Sequence, residues 1–192
     1  MNKYHKRFLS SFAAENIIGL FSRYRNGAKE VTESWGMLEA AWKFQPDIDN
    51  CTIVVVGDGC SPRTGALFAY FTKANVISVD PNFNIDHWNE HFQKQSDMGY
   101  EPQRIVLIKD KIENIEIDCH GKNTLVLWPH SHANMLFLKI KNHLNVCDIA
   151  LPCCVPIPKP LLRIPHITYE DINIASPKRI IHIWNENQRL KL

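Results

Sequence analysis

Thr52-Ile53-Val54-Val55-Val56-Gly57-Asp58-Gly59-Cys60-Ser61-Pro62-Arg63-Thr64-Gly65 is the stretch whose reading decides the fold. Its five opening residues are all β-branched and almost all apolar, as in a strand buried on both faces. Gly57 and Gly59 then let the chain turn sharply and leave bare backbone for a ligand to approach. Ser61 suits the cap of a following helix, and Pro62 its first position, where a missing N–H costs nothing. A helix dipole is thereby aimed at the loop. The next apolar run, Val76-Ile77-Ser78-Val79-Asp80, ends in a carboxylate 23 residues after Gly57. An α/β unit that holds a nucleoside places such an acid against the ribose hydroxyls. Gly57, Asp58, Gly59, Ser61 and Asp80 are therefore candidate cofactor-binding residues.

Outward from this stretch, strands are expected at 52–56, 76–80, 104–109, 124–128 and 146–151, with helices at 62–73, 86–97 and 132–144. Such alternation makes a doubly wound, mostly parallel α/β sheet. Upstream, Leu9, Phe12, Ala13, Ile17, Leu20, Phe21 and Tyr24 recur at helical spacing before Asn26-Gly27. Val31, Trp35, Leu38 and Trp42 mark the buried face of a second helix that ends before Pro46. Beyond Leu151, prolines 152, 156, 158, 160 and 165 exclude a long helix. Strands at 166–174 and 179–184, joined by Ser176-Pro177, would form an antiparallel C-terminal edge. The chain reads as a single domain: a two-helix extension over 1–50, a cofactor-binding core over 51–155 and a strand pair over 156–192.

With 192 residues, 45% hydrophobic and 22% charged, the chain has the size and balance of a globular domain with a proper core. A net charge of +2 does not by itself argue for nucleic acid. Residues 151–192, however, hold six Lys/Arg against three Asp/Glu, a tilt compatible with a polyanionic partner. The six cysteines form no C-x-x-C pair, so reduced thiols and a cytoplasmic setting are expected. No apolar run approaches the ~20 residues of a membrane span. Residues 1–14 are basic and lack acids, as import leaders do, but their apolar spacing continues into the first helix.

With the glycine loop, the acid at 80 and this strand order, the chain resembles the class I S-adenosylmethionine-dependent methyltransferases, of Rossmann-like fold. The resemblance implies S-adenosylmethionine as cofactor, with Gly57 and Gly59 under its methionine part, Asp80 on the ribose and Asp110 on the adenine amine. It turns Leu127-Trp128-Pro129-His130-Ser131-His132 toward the methyl group and substrate, and places Leu151-Pro152-Cys153-Cys154 nearby. Pro-Cys-Cys occurs there in some RNA-modifying relatives, so RNA is a possible substrate beside a small molecule or protein. No Asp/Asn-Pro-Pro-Tyr/Phe tetrapeptide is present, which disfavours methylation of a base amine.

His130 and His132, at the carboxyl end of a strand, are candidate catalytic residues because imidazole serves as a base near neutral pH. Trp128 is a candidate for stacking on adenine, while Pro129, Cys153 and Cys154 are substrate-side candidates. His87-Trp88-Asn89-Glu90-His91 has the H-x-x-E-H spacing of one zinc peptidase group, but both histidines lie at the edge of the apolar helix face. A solvated face is the better reading, and no metal is expected. Two alternatives remain: a degenerate member that binds cofactor or partner without catalysis, and an NAD-dependent reductase. The reductase would want a third small residue in the turn, where Pro62 and Arg63 stand, and a Tyr-x-x-x-Lys pair.

Overall fold

A computed structural model of the chain describes residues 1–22, 25–97, 104–152 and 164–185. The apolar runs form β1 (Thr52–Val56), β2 (Asn75–Val79), β3 (Ile105–Ile108), β4 (Glu116–Pro129), β5 (Lys139–Leu151), β6 (Ile167–Glu170) and β7 (Ile180–Asn185). They make one seven-stranded sheet in the order β3-β2-β1-β4-β5-β7-β6. The β3, β2, β1, β4 and β5 neighbours pair in parallel, while β7 is antiparallel to both β5 and β6. All five residues of β1 are buried, as a central strand covered on both faces requires. Chain order reverses between β1 and β4, and the carboxyl ends of parallel strands at such a point bound the crevice of an open α/β sheet.

One face of the sheet carries the helices. Ile53, Val55, Leu125, Leu127 and Ile149 pack there against α1 (Lys3–Leu9), α2 (Phe12–Ser22), α3 (Gly27–Phe44), α4 (Arg63–Phe71) and Trp88 of α5 (Ile85–Asp97). Three helices thus precede the sheet instead of two. The break falls at Ser10-Ser11, where the Ser11 hydroxyl donates to Phe8 O at 2.6 Å in competition with the backbone ladder. Trp35 is buried as its spacing predicts, but Trp42 stays 39% exposed and meets Phe71 only edge-on. Tyr24 lies outside the described residues.

The expected helix over 132–144 is absent. A single 3-10 turn, Met135–Phe137, carries the chain from β4 into a β5 that begins at Lys139. Leu138 and Ile140 pack on the second face while Lys139 is exposed, so this segment has the period of two that belongs to a strand. Both strands are bent where Asp118 and Lys122 of β4 change register against β5, with His120, Gly121 and Asn142 at positive φ. β6 is also shorter than its sequence pattern: the Asp171 amide still donates to Arg179 O at 2.9 Å, but the chain then turns, with the Asn173 amide donating to the Asp171 carboxylate at 2.9 Å and the Ile174 amide to its carbonyl at 3.1 Å.

Candidate functional site

A cavity of about 700 Å³ opens at the carboxyl ends of β1, β2 and β4. Gly57 and Gly59 form one wall at φ +80° and +81°, a left-handed conformation that favours glycine. A Cβ added to Gly57 would stand 2.6 Å from Ser131 Oγ, so the loop and the segment after β4 pack directly on each other. Asp80 is 6% exposed at the cavity floor. One of its oxygens accepts the Gly59 amide at 2.9 Å and the other the Asn82 amide at 2.8 Å. Each carboxylate oxygen has a further lone pair for a ligand hydroxyl. Asp110 lines the same cavity, its carboxyl held below its ordinary range by the Asn114 amide and the Lys111 N–H.

Asp58 has a different task from the one its sequence position suggests. Its carboxylate lies beneath α4, accepting from Thr64 N (2.9 Å), Gly65 N (2.8 Å) and Ser78 Oγ (2.9 Å). It thus closes the helix N-terminus, while Pro62 at the cap position makes no side-chain bond. Burial pushes the Asp58 carboxyl up, against the opposing pull of those donors and the Arg63 charge. Ser61 is also turned from the cavity, with its hydroxyl 3.4 Å from His87 Nδ1. Gly65 supplies the close helix–sheet approach: a Cβ there would lie 3.1 Å from Asp58 Oδ2, Ile105 Cδ1 and Ser78 Cβ. Trp128 is not a stacking surface either. It is 3% exposed within the second-face core, and its indole donates to Asp148 Oδ1 at 2.8 Å.

Pro129, His130, Ser131 and His132 do line the cavity, as their place after β4 implies. His130 sits at φ +51°, its amide donating to Leu151 O at 3.0 Å and its Nε2 2.6 Å from Glu33 Oε1. Both of its ring nitrogens are shielded from solvent, whereas His132 is exposed at the cavity. Cys153 and Cys154 fall outside the described residues. His87 and His91 are half-buried, not solvated, and His91 approaches Gly19 of α2. Among the described residues no group of three or more His, Cys, Asp or Glu is arranged to hold a metal ion.

Sequence reasoning missed the contribution of the flanking segments. Lys29 and Glu30 of α3, Arg63 of α4, and Ser176, Pro177 and Lys178 between β6 and β7 complete the cavity. The last three are brought over it because Ala175 N bonds Thr32 Oγ1 at 2.9 Å and Ile174 packs on Gly36 of α3. Glu33 is 2% exposed; burial raises its carboxyl, but the His130 and Lys29 contacts outweigh this and leave it below its ordinary range. These pairs therefore stabilise the fold above the unfolded carboxylate value, about 4.3, and lose that contribution as pH falls through the lower folded value. Glu33→Gln should accordingly flatten the acid limb of stability, read from urea midpoints between about pH 5 and pH 3.

Among the described cysteines only Cys60, at the tip of the glycine loop, is exposed, while burial pushes the Cys147 thiol up to about 12. Alkylation of the native protein at neutral pH should label Cys60 well before Cys51, Cys119 or Cys147, as read by peptide mass spectrometry. Equal labelling of Cys147 would show that the sheet opens readily.

Solved structures that align over nearly the whole chain include two of one protein. A mutant of MtNAS in complex with S-adenosylmethionine aligns over 94% of this chain and 69% of its own length, at 12% identity and a TM-score of 0.53. A second structure of that mutant aligns over 95% and 81%, again at 12% identity, with a TM-score of 0.50. The fold is Rossmann-like. A structure of coclaurine N-methyltransferase bound to N-methylheliamine and SAH aligns with a TM-score of 0.42 and 12% identity over 61% of this chain. The chain spans only 35% of that enzyme's length. No protein-family model matches the sequence, and no curated protein matches it. Among the described residues, no helix of this chain is long and apolar enough to cross a membrane.

Proposed function

We propose that this chain is an S-adenosylmethionine-dependent methyltransferase acting on a small molecule. The observation that carries the reading is the meeting of two left-handed glycines and the Asp80 carboxylate in one cavity at the strand-order reversal. A side chain at Gly57 would strike Ser131, so bare backbone is required there. When bound, the cofactor supplies an electrophilic methyl group on a sulfonium centre. Asp80 would accept from its ribose hydroxyls, and Asp110 from its adenine amine. His132, exposed at the cavity, would take the proton released by the acceptor on a ring nitrogen. α3 and the 176–178 segment would exclude water and orient the acceptor.

A small molecule is favoured over RNA by the charges around the cavity. Lys29 and Arg63 stand against Glu30, while Lys111 neighbours Asp110 and Glu113. Among the described lining residues Lys29, Arg63, Lys111 and Lys178 are matched by Glu30, Asp80, Asp110 and Glu113, so this rim carries no cationic excess of the kind by which proteins hold phosphate backbones. The thiols at 51, 60, 119 and 147 are not bridged as disulfides, which suits a reducing, cytoplasmic setting. A binding module without catalysis remains the second reading, and the shielded nitrogens of His130 favour it.

Calorimetric titration with S-adenosylhomocysteine tests the cofactor, with NAD as the control ligand. Transfer of labelled methyl groups from S-adenosylmethionine to separated small-molecule, RNA and protein fractions tests turnover. Binding with label in the small-molecule fraction is expected. Binding without transfer leaves the module reading, label in RNA overturns the substrate class, and heat with NAD alone refutes the methyltransferase.

A further inference from the structure

Beside the cavity lies a charged cluster that the cofactor reading leaves unused. Glu33, on α3 and 2% exposed, is 2.6 Å from His130 Nε2 and 2.9 Å from Lys29 Nζ. His130 follows β4 in a left-handed conformation that is uncommon for a non-glycine residue. Its amide bond to Leu151 O fixes the backbone on one side, and Ser131 abuts Gly57 on the other. The imidazole contact with Glu33 supplies a third anchor, from a different layer of the fold.

We propose that Glu33 is a positioning residue, clamping the His130 imidazole so that the turn after β4 presents Ser131 and His132 to the cavity. This rests on the reading of that cavity as the transfer site. A carboxylate suits the task because its charge pairs with the ring while it accepts from Lys29, whereas glutamine is neutral and would turn a donor toward one of them. Also facing the cluster are Glu30, 3.3 Å from Lys29, and Arg63 of α4, 3.5 Å from Glu30. Lys29 is held protonated above its ordinary range: burial alone would lower it, but Glu33 and Glu30 prevail. The ring is thus held by a carboxylate that is itself neutralised, which keeps the buried charge affordable.

The test compares the wild type, Glu33→Gln and Glu33→Asp by three measurements on the full chain. Imidazole NMR titration, amide exchange at residues 131–133 and calorimetry with S-adenosylhomocysteine each report a separate property. In Glu33→Gln the His130 midpoint should fall by about one pH unit or more. Exchange at 131–133 should quicken about tenfold or more, and Glu33→Asp should recover part of both. An unmoved midpoint, or unmoved exchange, overturns the proposal. Should Glu33→Gln fail to fold, His130→Asn keeps a residue that tolerates the left-handed backbone while removing the ring. Unchanged exchange in that variant overturns the proposal equally. Failure of the wild type to bind S-adenosylhomocysteine sinks the cofactor reading instead, and the imidazole and exchange measurements still decide the clamp.

Discussion

Asp58→Ala should lower the unfolding free energy by about 3 kcal/mol. Three donors point at that carboxylate from two elements: the Thr64 and Gly65 amides of α4 and the Ser78 hydroxyl of β2. Alanine would leave all three inside the fold with no acceptor, and each unmet donor costs about 1–3 kcal/mol before any relaxation. Asp58 is 2% exposed, so bulk solvent does not reach the three donors directly. In a chain of this size the loss corresponds to a fall in Tm of about 6–12 °C. Asp58→Asn should keep one acceptor oxygen and turn an amide toward donors, giving an intermediate loss. Calorimetric or circular-dichroism melting decides the matter, and a Tm unchanged in Asp58→Ala would mean that α4 is not held through this carboxylate.

Asp80→Ala should weaken S-adenosylhomocysteine affinity by about 1–3 kcal/mol, or roughly five- to 150-fold in Kd. Two losses act together. The variant has no acceptor for the ribose hydroxyls, and it no longer bonds the Gly59 and Asn82 amides that give the loop its shape. Asp80→Asn separates them, since its carbonyl oxygen can still take one amide while the charge is lost. Titration calorimetry on the folded variants measures both. Affinity equal to wild type in Asp80→Ala would remove Asp80 from the site and, with it, the basis for the cofactor assignment.

Most of the frame around the cavity was legible in the chain. Local patterns carry it: β-branched runs with no polar interruption, glycines at the turn, a carboxylate ending the second strand. Asp58 is expected at the cavity beside Gly57 and Gly59 but lies beneath α4, because only the path of the loop determines whether its carboxylate turns outward or back under the helix. Trp128 failed for a related reason. Strand alternation sends it to the second face, where Asp148 meets its indole, and the residue count from the glycine loop gives no hint of that face. The missing helix before β5 had a readable signal in the alternation of Leu138, Lys139, Ile140 and Lys141, which helical spacing of the larger apolar residues obscured.

By itself, then, the amino-acid order determined the parallel core, the glycine turn and the acid beside it, since each follows from steric rules acting over a few residues. The tertiary structure alone decided that Glu33 meets His130 across 97 positions, that Gly65 is the close-packing glycine, and that the 176–178 segment reaches the cavity. Those contacts depend on how α3 and the β6–β7 connection dock on the sheet, and docking is fixed by the summed packing of distant side chains, which no short pattern encodes.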